Sequence, residues 1–159
     1  MWIISSILVC CILVSGCGSE HGDYVKQLRS GTPEQRAQAA SFLGAQRIAN
    51  AVPYLKAALQ DENAQVRVKV IWALGTLRSK RVLKDLLPVM QNENRNIRQA
   101  TALALMQIEE PDALQTLQGA LLTESDVWVA KDIKRAIAHL GQFEGEADIR
   151  ESSVRGEFF

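Results

Sequence analysis

The side chains that could do covalent or metal chemistry are few in this chain, and poorly placed for it. Three thiols, Cys10, Cys11 and Cys17, all fall within the first 17 of 159 residues. Beyond Cys17 there is no thiol for an internal disulfide or a thiolate metal cluster. The two histidines, His21 and His139, lie near opposite ends of the sequence. No HExxH, GxSxG, phosphate-binding loop or dinucleotide fingerprint occurs. The densest carboxylate run is Glu109-Glu110 with Asp112. A hard-cation site needs more convergent oxygens than such a run supplies. It reads as acidic residues favoured at a helix start, as does Asp61-Glu62. No catalytic residue, metal site or cofactor is therefore expected.

Composition narrows the classes further. Eighteen Lys and Arg balance eighteen Asp and Glu. A neutral chain has no global field to draw it onto nucleic acid, so no nucleic-acid partner is expected. With 47% hydrophobic and 23% charged residues, the composition is that of a folded domain. The length suits one domain. Charge nevertheless separates along it: residues 34–98 hold eleven bases and five acids, and residues 109–126 hold five acids and no base.

The first sixteen residues carry no charged side chain, and Trp2 to Val14 is apolar apart from Ser5, Ser6 and the two cysteines. That run is too short to span a bilayer comfortably and fits the apolar region of a secretory signal. Val14-Ser15-Gly16-Cys17 resembles the end of a bacterial lipoprotein signal. The resemblance implies cleavage before Cys17 and acylation of its sulfur and new amine, which would give a membrane partner through the lipid. Several acyl chains hold a small domain firmly, at about 0.8 kcal/mol per buried methylene. Gly18 stands where an Asp would retain such a protein at the inner membrane, which favours the outer one in a cell that has two. An uncleaved anchor and a buried apolar helix are the alternatives. The expected organisation is a signal over 1–16, a lipidated tether over 17–23, a helical domain over 24–141 and a mobile tail over 142–159.

The body repeats every 31 residues. Arg36, Arg67 and Arg98 keep that step, as do Leu43, Leu74 and Leu105. Leu55, Leu86 and Leu117 keep it too, with Val66, Ile97 and Trp128. Gly44 and Gly75 share it, and Met106 replaces the third glycine. Each unit contains two apolar stripes of helical period and no strand-like alternation. The spacing predicts helices over 24–30, 33–47, 51–60, 63–78, 81–91, 95–108, 111–122 and 126–140. Thr32 with Gln35 forms a capping box before Pro33. Asn50 is expected to cap the third helix, Asp61 or Asn63 the fourth, and Gly141 to end the last. Pro88 must kink or shorten the fifth, since it cannot bond the carbonyl of Lys84. The predicted core includes Leu43, Leu55, Leu59, Val66, Leu74, Leu86, Ile97, Leu105, Leu117 and Leu121. The fold class expected is all-α, a solenoid of stacked helix hairpins.

Ala51-Val52-Pro53-Tyr54-Leu55, then Leu59 and Asp61, Val66-Arg67 and Ala73-Leu74-Gly75 resemble HEAT repeats, in particular the short repeats of bilin-lyase-like proteins. The resemblance runs over about residues 33–141. It implies a ladder between repeats, made by an Asp in the interhelix turn and an Arg six residues later. Asp61 and Arg67 match that pair. Arg36 and Arg98 follow Ser30 and Asn92, leaving the ladder incomplete, and Val129 falls in the arginine column of the last unit.

Two features are candidates for binding a protein partner. Trp72 lies beside the buried stripe of its helix, and its repeat equivalents are Ser41 and Leu103. It either anchors a partner or fills a gap between repeats. Nearby Lys69 and the basic turn of Arg78, Lys80, Arg81 and Lys84 would supply a polar rim, or simply a solvated turn. The function expected is a membrane-anchored protein-binding scaffold of the cell envelope. A bilin-lyase-like enzyme or chaperone and a purely structural envelope adaptor are the competing readings.

Overall fold

The capping chemistry sets where the helices begin. The computed structural model describes the backbone of residues 17–155 and the side chains of residues 21–142. The expected signal over 1–16, including Val14, Ser15 and Gly16, lies outside those residues, as do the Cys17 side chain and Phe158-Phe159. Thr32 accepts from the Gln35 amide at 3.4 Å and Gln35 Oε1 accepts from the Thr32 amide at 2.9 Å. This closed box starts α2, Pro33–Ala45, after α1, Cys17–Ser30. Asn63 caps α4, Ala64–Thr76, and Asn94 caps α6, Arg95–Ile108. Asp126 Oδ1 accepts from the amides of Trp128 and Val129 at the start of α8, Val127–Arg155. The short first helices are α3, Val52–Ala57, α5, Leu83–Leu86, and α7, Leu114–Thr123.

All-α architecture follows, with no strand among the described residues. The second helices α2, α4, α6 and α8 stack in sequence, and the first helices cover their other side. The core runs through the stack: Leu43, Leu55, Leu59, Val66, Leu74, Leu86, Ile97, Leu105 and Leu117 are all buried. Leu121 is only half-buried, and Ala120 takes the buried place beside it.

Several boundaries differ from expectation. Residues 17–23, expected as a tether, are the first turns of α1. No proline interrupts that stretch, and stacking of Tyr24 on Phe42 at 3.8 Å docks α1 onto α2. Asn50 caps nothing; it sits inside a 3-10 turn, Ala49–Ala51, that leads into α3. Pro88 does shorten its helix: α5 gives way after Leu86 to a 3-10 segment, Leu87–Gln91. Gly141 does not end α8, which continues to Arg155 through much of the expected tail. Glycine inside a helix costs only about 1 kcal/mol against alanine, and no proline follows to stop it.

The final unit is one residue longer. The second helices start at Ala64, Arg95 and Val127, steps of 31 and 32 residues. Val129, fully buried, therefore takes the place of Val66 and Ile97, while Trp128 is 63% exposed. Ala130, not Val129, follows the arginines in register.

Two glycines set the stacking distance. A Cβ on Gly44 would lie 2.6 Å from the Cα of Ala73, and one on Gly75 would lie 2.7 Å from the Cα of Ala104. Main chain meets main chain at both junctions. Only a residue without a side chain fits there.

Candidate functional site

Successive turns are tied by arginine. Arg36 grips Asp61 with two bonds, Nε to Oδ2 at 2.6 Å and Nη2 to Oδ1 at 2.8 Å, while Nη1 donates to the Gly31 carbonyl. Arg98 grips Glu124 in the same way, at 2.7 and 2.8 Å, and donates to the carbonyls of Asn92 and Glu93. Each arginine thus clamps its own turn and reaches the carboxylate of the next. Arg67 makes only the first half, donating to the carbonyls of Asp61 and Glu62. Asn92 occupies the next turn and brings no charge. Within the ladder expected of Asp61, Arg67, Arg36 and Arg98, the carboxylate of Asp61 is held by Arg36 of the preceding turn, and Arg67 holds the main chain beneath it. Glu124 was missed because it sits one residue late and is a glutamate.

Burial and charge oppose each other at these carboxylates. Burial pushes Asp61 up, but the Arg36 bonds and the Asn63 amide outweigh it and hold Asp61 below its ordinary value. At Glu124 the bonds from Arg98 are the largest influence, burial opposes them, and the carboxyl is again lowered. Asp61 and Glu124 are 9% and 3% exposed at their side chains, so these are desolvated pairs. The bonds of Arg36 and Arg98 run to carbonyls of their own turn and to the carboxylate of the next, which suits a structural clamp.

Half of the basic turn is engaged as well. Arg78 donates to the Gln107 carbonyl at 2.9 Å and pairs with Glu109. Lys80 pairs with Glu110 at 2.5 Å. The acidic run Glu109-Glu110 is thus the receiving side of the preceding unit's basic turn. Only Arg81 and Lys84 of that patch stay exposed without an ion pair to a described residue.

The second helices leave an open groove of about 1060 Å³, with Ser41, Trp72 and Lys69 on one side and Arg135 on the other. Trp72 is set into its wall. One ring edge lies 3.3 Å from the place a Gly44 Cβ would take, and 41% of the residue remains exposed. The ring therefore fills the space above glycine and still faces outward. Ser41, Trp72, Leu103 and Arg135 share one register position on α2, α4, α6 and α8, so a single row crosses the groove. Sequence reasoning reached Trp72 and Lys69 but missed Arg135, because the one-residue insertion moved it out of the 31-residue column. His139 lies 3.5 Å from Glu109. No group of three metal-ligating residues forms among the described residues.

Comparison with known proteins places this architecture. The profile of HEAT repeats matches residues 23–90 and again 52–138. The chain belongs to the HEAT-repeat family. No curated protein matches the sequence. Among solved structures, the crystal structure of an engineered protein from a structural genomics consortium superposes with a TM-score of 0.61 at 22% identity, over 76% of this chain. The match spans 62% of that protein. It shares the fold alone. The protein is a HEAT-like helical-repeat scaffold, and no helix among its described residues is long and apolar enough to cross a membrane.

Proposed function

We propose that this HEAT-repeat protein is a lipid-anchored scaffold of the cell envelope that docks another protein on the face of its second helices. The observation that carries the docking reading is Trp72, a large aromatic left 41% exposed in the wall of a groove that four stacked helices build. Aromatic side chains are enriched among interface hot spots, and solenoids offer extended concave surfaces without reactive groups. The anchor rests on Val14-Ser15-Gly16-Cys17 after an apolar run. The outer membrane is favoured in a cell with two.

A crosslinked pull-down from solubilised membranes, read by mass spectrometry, tests both parts. The mature N-terminus is expected to be acylated Cys17, and Cys17→Ser is expected to abolish lipid labelling. Equal labelling of wild type and variant removes the anchor. Trp72→Ala is expected to leave a folded chain that loses at least about 2 kcal/mol of partner binding. Unchanged capture removes the docking site. The lack of any stoichiometric partner would leave a structural adaptor, and a coloured covalent adduct on incubation with bilin and apo-antenna protein would replace the scaffold with an enzyme.

A further inference from the structure

We infer that the groove of the second helices takes an extended, acidic peptide segment of a partner protein. This rests on the docking reading above and specifies its ligand. The first observation is charge. No carboxylate lines the groove, while Lys69 on α4 and Arg135 on α8 both do. Neither cation pairs with a described residue. Asp132, on the neighbouring face of α8, is held by the Gln99 amide at 2.6 Å. In a chain of zero net charge, a groove with two uncommitted cations and no acid among its lining residues is a local excess. Desolvated, such cations favour carboxylates over neutral or basic groups.

The second observation is the kind of polar group between them. Gln65 and Asn96 hold the same register position on α4 and α6, and Gln107 stands further along α6. A primary amide both donates and accepts, matching a peptide bond on each count. Main chain in a helix has its polar groups bonded internally, but an extended chain has them free to meet such amides. The length agrees. From α2 to α8 there are three interhelix steps of about 8–10 Å each, or about 25–30 Å. An extended segment of about eight residues covers that distance at roughly 3.3 Å per residue. Trp72, with Val68, Leu103 and Met106, offers apolar contact for alternate side chains.

Fluorescence anisotropy of the full chain in detergent, titrated with labelled twelve-residue peptides, tests this. Three matched peptides carry leucine and phenylalanine anchors, prolines that keep them extended, and Glu, Gln or Lys at the remaining positions. The Glu peptide is expected to bind at least tenfold more tightly than the Gln peptide, and the Lys peptide more weakly still. The double variant Lys69→Glu, Arg135→Glu is expected to reverse that order with an unchanged melting temperature. Equal binding of all three, no binding of any, or a Glu preference that survives the double reversal would overturn the inference. So would equal affinity for a helix-stapled Glu peptide, or a concentration-dependent dimer that buries Trp72 in place of peptide. The docking reading fails separately. If a pulled-down partner still depends on Trp72 but ignores the double reversal, the groove docks a protein and its acidic ligand is wrong.

Discussion

Asn92 is the residue at which the arginine ladder is interrupted. Its Oδ1 accepts from the Asn94 amide at 3.0 Å, as Asp61 Oδ1 accepts from Asn63 at 2.9 Å. The turn is thus built with or without charge, and what Asn92 lacks is a carboxylate for Arg67. Asn92→Asp should supply one without disturbing the turn. A charge-assisted bond contributes about 1.5–3 kcal/mol, reduced here by desolvation, so a gain of about 1 kcal/mol is expected in urea melts at neutral pH. Arg67→Lys should lose about 1 kcal/mol, since an ammonium cannot reproduce the flat fork that meets two carbonyls. The existing carboxylates also set an acid limit. Asp61 and Glu124 are lowered in the folded state from ordinary values of 3.8 and 4.5. The unfolded chain then binds more protons, so their stabilisation is complete above those ordinary values and is lost as pH falls through the folded ones. The variant Asp61→Asn, Glu124→Gln should be less stable at pH 7 and show a flatter decline below about pH 5. A parallel decline in both proteins would place the acid sensitivity elsewhere. The arginine column was legible in the sequence. Asp61 was legible too, but not that Arg36 holds it across 25 residues; Glu124, 26 residues from Arg98, lies beyond an insertion and was not legible.

At the scale of elements, the stack depends on how closely α2, α4 and α6 approach. Gly44 and Gly75 put their main chains against Ala73 and Ala104, all four buried. Gly75→Ala sets two terms against each other. Alanine gains about 1 kcal/mol of helix propensity. Its Cβ would meet a Cα at 2.7 Å, and a backbone atom cannot swing aside. Overpacking of that kind costs about 1–3 kcal/mol, so a net loss of up to about 2 kcal/mol is expected from thermal melting. An increase in melting temperature would mean that the helices part freely. At the third junction Met106 stands in the glycine's place, half-buried and lining the groove. Glycine columns could be read from the sequence, as could the caps at Thr32 and Asn63. The end of α8 could not, since Gly141 weakens a helix without ending it. Nor could the left-handed residues Arg47, Arg78 and Glu109, each just past a second helix with φ of 49–58°. They keep the 31-residue step, but glycine would have been the signal for that backbone.

Over the whole molecule, each unit touches chiefly the next, so stability is a chain of neighbour interfaces. Leu74 is fully buried on α4, a helix with a stacked partner on both sides, α2 and α6. Its loss is felt at two interfaces. Leu74→Ala should cost about 2–5 kcal/mol, toward the upper end if the glycine-set spacing prevents the helices from closing over the void. Leu121→Ala, at the half-buried edge of α7, should cost clearly less. Denaturant melts followed by circular dichroism would measure both. In a one-dimensional stack, a break at α4 separates two short halves, each with too little core to persist alone. The Leu74→Ala transition should therefore remain a single step at lower denaturant. Two resolved steps would mean that the halves fold independently, and the register carried by Arg36, Arg67 and Arg98 would then join units that do not depend on one another.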